Sequence, residues 1–170
     1  SRPLDEVRDL PGIDLNINEQ LLLLKSFDFN NELKAIPIEK PDGLDFYINN
    51  ASFTSGDAEY FYNLIRLKKP SKIYEIGSGY STLIAKKAIE MNCHDNVNYT
   101  CKHVCIEPYE MPWLEEIGVT VVRECVENID KSFFLGLGDR DILFIDSSHM
   151  IRPQGDVLFE YLELLPVLSD

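Results

Sequence analysis

Apolar and polar residues follow one pattern before Ser55 and another after it. Before Ser55 the spacing is irregular, and it predicts one short amphipathic helix over residues 18–27. The leucines of this helix that we expect to face inward are Leu21, Leu22 and Leu24. Residues 44–48 alternate as a strand does and are predicted to pair with residues 52–54. Residues 1–54 are therefore expected to form a helical or irregular segment with a short hairpin.

After Ser55, short apolar runs alternate with segments of helical spacing. The predicted strands are residues 72–76, 103–106, 119–122 and 141–145. The first predicted helix begins at Ser55 or Asp57 and ends near Lys69, because Pro70 stops it. The other predicted helices cover residues 81–91, 111–117, 129–135 and 155–168. One side of the last helix is expected to carry its apolar residues: Leu158, Tyr161, Leu162 and Leu165.

This alternation predicts the fold class. Short strands with few polar residues are typical of a parallel sheet that is covered on both faces. We therefore expect an α/β fold with an open, doubly wound, Rossmann-like and mostly parallel sheet over residues 55–170. Ligands of such sheets bind at the carboxyl ends of the strands.

Composition and charge narrow the function classes. The 170 residues suit about one domain, and 45% of them are hydrophobic. The net charge of −13 would repel a phosphate backbone, so we expect no nucleic-acid partner. No apolar run is long enough to span a membrane, and no leader pattern is visible, so a cytoplasmic protein without a membrane partner is expected. The four cysteines lack a C-x-x-C pair, so reduced thiols and no metal site are expected.

The segment Glu75-Ile76-Gly77-Ser78-Gly79-Tyr80-Ser81 joins the first predicted strand to the next helix. Its glycines permit a tight bend, and the helix that follows offers free N–H groups to a ligand. A dinucleotide site would require glycine or alanine at position 82, where this chain has threonine. An acid before the first glycine suits a cationic sulfonium with an α-amino group. A tight turn without any ligand is the remaining alternative.

The pattern E-x-G-x-G-x-S resembles the first motif of class I S-adenosylmethionine-dependent methyltransferases, E/D-x-G-x-G-x-G, with Ser81 as the departure. The resemblance implies that S-adenosylmethionine is the cofactor. The residues that it implies for cofactor binding are Glu75, Gly77, Ser78, Gly79, Tyr80, Ser81, Glu107 and Val126. Glu107 ends the second strand and would bond both ribose hydroxyls, since a carboxylate accepts from two donors. Val126 would lie along the adenine.

The fourth predicted strand is followed directly by Asp146-Ser147-Ser148-His149. This D-x-x-H resembles that of a methyltransferase subfamily, similar to O-methyltransferases of sugars and natural products and to cephalosporin hydroxylase-like proteins. Three roles remain open. His149 could be the general base that takes a proton from an acceptor hydroxyl. Asp146 and His149 could instead bind a divalent metal, with Asp156 as the most plausible further ligand. In the third role both residues are structural, with Asp146 capping the next segment and His149 bonded to backbone.

The methyltransferase fold normally has seven strands, and four can be placed after Ser55. The resemblance therefore predicts a sheet truncated before its last strands. Residues 141–145 would then form an unprotected edge, which a homodimer or the N-terminal segment could cover. The predicted function is methyl transfer from S-adenosylmethionine to a hydroxyl of a small-molecule acceptor. The alternatives are a catalytically inactive cofactor-binding or interaction module of the same fold and, third, a nicotinamide-dependent oxidoreductase.

Overall fold

The computed structural model describes residue 3 and residues 14–168. Within this part of the chain, parallel strands form one sheet in the order β3-β2-β1-β4. The strands are β1 (Lys72–Ile76), β2 (Lys102–Ile106), β3 (Thr120–Val122) and β4 (Ile142–Ile145). The predicted α/β class and parallel sheet are confirmed, and the arrangement is consistent with a Rossmann-like fold. Strand β4 lies at one edge of the sheet, whereas dimerisation across that edge stays a prediction.

Helices surround this sheet. The α-helices before β2 are α1 (Ile17–Lys25), α2 (Asn30–Leu33), α3 (Asp57–Lys68) and α4 (Tyr80–Asp95). The 3₁₀-helices between β2 and β4 are Pro112–Glu116, Val126–Asn128 and Lys131–Phe133. The C-terminal helical segment consists of α5 (Asp156–Leu158), a π-helix (Phe159–Leu164) and a 3₁₀ turn (Leu165–Val167). No helix in the described residues has the length and apolar character needed to cross a membrane.

Side chains of successive strand residues enter two separate cores, one on each face of the sheet. On one face, Ile73 and Cys105 pack with buried residues of α3 and α4. On the other face, Tyr74 and Ile76 pack with Phe134 and with the C-terminal helical segment. Both faces are therefore covered, as strands with few polar residues require.

The N-terminal predictions were wrong in two respects. Helix α1 exists, but Leu21, Leu22 and Leu24 are about half exposed, because periodicity identifies an apolar face without showing that anything covers it. Residues 44–54 contain turns and bends instead of the predicted hairpin. The buried side chain of Asn50 accounts for this, since it bonds the backbone of Tyr47, Ser52 and Phe53 at 2.7–3.0 Å and so replaces a strand ladder.

Helices after β1 also differ from the expectations. Helix α4 continues to Asp95 because Asn92 is buried and donates to the Ile65 carbonyl at 3.1 Å. The predicted helices over residues 111–117 and 129–135 are short 3₁₀ turns. The predicted final helix is present as a continuous helical segment over residues 156–167, but it changes from α to π to 3₁₀, and Tyr161 and Leu162 are exposed. Pro166 lacks an N–H group, so a regular α-helix cannot continue through the last turn.

Candidate functional site

A crevice opens at the carboxyl ends of the strands, where the strand order reverses between β1 and β4. Ligands of open α/β sheets bind at such a point. Two cavities, of about 400 and 200 Å³, lie here. Four residues line both cavities: Gly77, Glu107, Glu110 and Asp146. The structure therefore brings the predicted glycine turn, the end of β2 and the end of β4 to one place.

Gly77 fixes the contact between β1 and β4. Its φ is +81°, and its N–H donates to the Ile106 carbonyl at 3.0 Å. The Asp146 N–H donates to the Ile76 carbonyl at 2.8 Å. A Cβ added at position 77 would lie 2.0 Å from the Asp146 carbonyl oxygen. Only glycine allows this approach, so the turn and Asp146 are held together by backbone contact.

Glu75 lies beneath the turn and is fully buried. Its carboxylate accepts from the Ser81 hydroxyl at 2.8 Å and from the Thr82 hydroxyl at 3.1 Å. The Gly79 N–H donates to the Thr82 hydroxyl at 3.1 Å. Glu75 and Thr82 therefore fix the first turn of α4 from below, and Glu75 does not line either cavity. Direct contact of Glu75 with a cofactor stays a prediction.

The other carboxylate oxygen of Glu75 contacts Nε2 of His103, which is also buried. Burial lowers the pKa of His103, but the Glu75 carboxylate beside it opposes this effect, and the net result raises the pKa to about 10. Ligand atoms of Glu75, His103 and Cys105 lie within 4.8 Å of one another, the one such group found in the described residues. The four cysteines are free thiols. This buried group is best described as an ion pair under α4.

The remaining turn residues face the smaller cavity. Ser78, Gly79, Tyr80 and Ser81 all line it. The Ser78 hydroxyl is buried and has no hydrogen-bond partner among the described residues. A buried polar atom normally has a partner, so a ligand in this cavity would satisfy a group that the described residues leave unpaired. The Tyr80 hydroxyl lies 3.1 Å from that of Tyr47.

Glu107 and Val126 both line the larger cavity. One carboxylate oxygen of Glu107 accepts from the backbone N–H groups of Tyr109 and Glu110, each at 3.0 Å. Its second oxygen makes no hydrogen bond within the described residues and can accept from a ligand. Val126 is buried and supplies an apolar wall.

Asp146 and His149 are in direct contact, with Oδ1 of the aspartate 2.9 Å from Nε2 of the histidine. His149 has a φ of +57° and a side chain that is 75% exposed, so its second ring nitrogen is accessible. Asp156 accepts from the N–H and hydroxyl of Ser148, both at 2.8 Å. Asp156 therefore holds the loop. Among the described residues, the Asp146 carboxylate is paired with His149 alone.

Acidic side chains dominate the lining of the larger cavity. They are Glu107, Glu110, Glu127, Asp146 and Asp156, against one cation, Arg152. Such a cleft concentrates negative potential and favours a positively charged ligand over a phosphate-bearing one. Sequence patterns indicated neither Glu110 nor Arg152, because each lies in a loop with no motif around it.

Comparison with known proteins finds a distant relative in an archaeon. The chain is 33% identical over 131 residues to an uncharacterized protein of Archaeoglobus fulgidus. This match covers 72% of the chain and 57% of the relative, so the chain spans little more than half of that protein's length. No family model and no solved structure matches the chain.

Proposed function

We propose that this chain is the cofactor-binding part of an S-adenosylmethionine-dependent methyltransferase acting on a hydroxyl of a small molecule. The observation that carries the proposal is the acidic crevice at the end of β1, which combines the glycine turn with Glu107 and Val126. The sheet would then correspond to the first strands of the methyltransferase fold.

The residues present fit such a cofactor. Glu107 has a free carboxylate oxygen beside the larger cavity, and the cis-diol of a ribose supplies donors for it. Val126 offers apolar surface to a purine in the same cavity. In the smaller cavity, the unpaired Ser78 hydroxyl and the first turn of the 16-residue helix α4 would receive the carboxylate of an amino acid.

Charge separates this proposal from the nicotinamide alternative. A dinucleotide brings two phosphates into the crevice, whereas five acids and one arginine line the larger cavity. S-adenosylmethionine instead carries a sulfonium and an ammonium, which the acids attract. Thr82 also lies where a dinucleotide turn would have its third glycine, and its hydroxyl is engaged by Glu75.

Asp146 and His149 supply a means of removing the acceptor's proton. Bound S-adenosylmethionine would provide a methyl group on a positively charged sulfur. Nε2 of His149 lies 2.9 Å from Asp146 Oδ1, so the carboxylate favours the tautomer with the proton on Nε2, which leaves Nδ1 to accept the proton of the acceptor hydroxyl. A third cavity, of about 440 Å³, is lined by Asp146 and by apolar residues that include Phe53 and Phe144. This cavity would hold the apolar part of an acceptor next to Asp146.

Calorimetric titration with S-adenosylhomocysteine tests the cofactor site. We expect binding by the wild-type chain and at least about tenfold weaker binding by Glu107→Gln, because a hydrogen bond to a charged group contributes about 1.5–3 kcal/mol. Asp139→Asn is the matched control, since Asp139 is exposed and precedes β4, at the amino ends of the strands and away from the crevice. Wild-type affinity in Glu107→Gln, or binding of NAD in place of S-adenosylhomocysteine, would contradict the proposal.

The inactive-module alternative predicts the same binding but no methyl transfer. A screen of hydroxyl acceptors with His149→Gln as the comparison separates the two. Transfer that falls in this variant without a change in S-adenosylhomocysteine affinity supports the base role of His149. Binding without transfer to any acceptor by the chain, and also by its full-length relatives, favours the inactive module.

A further inference from the structure

The loop Glu107-Pro108-Tyr109-Glu110-Met111 follows β2 and contributes residues to both cavities of the crevice. The Glu107 carboxylate closes this loop from inside through the N–H groups of Tyr109 and Glu110. Met111 has a φ of +55°, a backbone conformation that residues other than glycine rarely adopt. Something outside the loop must therefore hold a conformation that the isolated chain would not favour.

Arg123, the residue after β3, meets this requirement with all five of its N–H donors. Nη1 donates to the carbonyls of Glu107 at 2.9 Å and Glu110 at 2.6 Å, and Nη2 donates to that of Met111 at 3.1 Å. Nε and Nη2 also donate to the two carboxylate oxygens of Glu115, each at 2.8 Å. A guanidinium has five N–H donors in a fixed plane, so none is left over.

The direction of these bonds distinguishes them from an ordinary surface ion pair. Exposed pairs contribute little by themselves, and the side chains of Arg123 and Glu115 are 32% and 52% exposed. Here Glu115 orients the guanidinium, while three of its five bonds converge on carbonyls of one loop. A lysine at position 123 could not span three carbonyls and a carboxylate, because its donors lie on a single nitrogen.

We propose that Arg123, oriented by Glu115, is a positioning residue that presets the loop 107–111 and so directs the Glu107 carboxylate toward the ribose hydroxyls of the ligand. The part that concerns the ligand rests on the proposed function. The part that concerns the loop does not, because it is a property of the free protein.

The loop can be tested without any ligand. Amide exchange of Tyr109 and Glu110 reports the hydrogen bonds to Glu107, and we compare the wild type with Arg123→Lys. We expect exchange at these two amides to become at least tenfold faster in the variant, with the amides of β1 unchanged. Arg140→Lys is the matched control, because Arg140 is exposed and precedes β4, at the amino ends of the strands and away from the crevice. Unchanged exchange at Tyr109 and Glu110 would overturn the proposal.

The ligand part is tested with S-adenosylhomocysteine and its 2′-deoxy analogue, which lacks one hydroxyl. If Arg123 directs Glu107, the wild type prefers the intact ribose by about tenfold, and Arg123→Lys loses most of that preference. General damage to the fold would instead weaken both ligands equally. An unchanged preference in Arg123→Lys would overturn the positioning role. Failure of the wild type to bind either compound would contradict the proposed function, and amide exchange would then decide the loop part alone.

Discussion

Replacing Gly77 by alanine tests the backbone contact on which the crevice depends. The variant places a methyl group 2.0 Å from the Asp146 carbonyl oxygen, whereas ordinary van der Waals contact begins near 3.4 Å. Relief of this overlap must move the end of β4 and weaken the 2.8 Å bond from Asp146 to Ile76. Left-handed backbone costs about 1–2 kcal/mol for a residue other than glycine. Overpacking and the weakened bond add about 2–3 kcal/mol.

Gly118→Ala is the matched control for this experiment. Gly118 has the same φ of +81°, but an added Cβ there would meet no atom of the described residues within 4 Å. The control therefore carries the backbone strain without the overlap. In denaturant unfolding we expect Gly77→Ala to lose about 4 kcal/mol of unfolding free energy and Gly118→Ala about 1–2 kcal/mol. Equal losses in the two variants would refute the view that close approach to Asp146 requires glycine at position 77.

Further predictions concern the pairs Arg66–Glu32 and Glu75–His103. Arg66→Met should lower the unfolding free energy by about 1–3 kcal/mol, because it leaves buried Asn92 and partly buried Glu32 without the guanidinium. The Arg66 hydrogen bond lowers the pKa of Glu32 below 4.5, so this pair stabilises the fold above pH 4.5 and its effect should fade as the pH falls further. Burial lowers the pKa of His103, but Glu75 opposes it and the net pKa is raised. The stabilisation from this pair should therefore be complete below pH 6.5 and disappear as the pH rises through about 10.

Each of these predictions has a control and an outcome that would contradict it. Lys86→Met removes an exposed pair with Glu90 and should change stability by less than about 0.5 kcal/mol. An equal loss in Arg66→Met would show that the buried network contributes no more than a surface pair. For the histidine, unfolding of the wild type and of His103→Gln is measured from pH 6 to pH 10. If the difference in unfolding free energy between the two proteins stays constant across that range, the contact with Glu75 does not raise the pKa of His103.

The sheet was largely predictable because each strand carries its own local signal. Residues 72–76 are a short apolar run that ends at the glycine turn, and β1 has these same bounds. The carboxyl ends of parallel strands lie at one edge, so Glu107 and Asp146 could be expected near that turn. Asp146 and His149 are three residues apart in the D-x-x-H of the sequence, and they are in contact.

Features that depend on distant residues could not be predicted in this way. No local pattern indicates that His103, which lies on the neighbouring strand, contacts one carboxylate oxygen of Glu75. Asn50 prevents a hairpin through bonds that no alternation of apolar residues reveals. The loop after β2 similarly depends on Arg123, twelve residues beyond its last residue, Met111. Local patterns therefore predicted the strands, and long-range polar contacts decided how their ends are arranged.

Arg66 also has a consequence for the cooperativity of folding. From α3 it bonds Glu32 in α2 and both Asn92 and Asp95 at the end of α4. Detaching α2 alone would leave a buried guanidinium without its bidentate partner, so α2 should unfold with the sheet domain as one unit. Helix α1 has no buried residue and no such link among its described contacts, so it should open independently. The boundary of the folding unit would then lie between α1 and α2, well before Ser55.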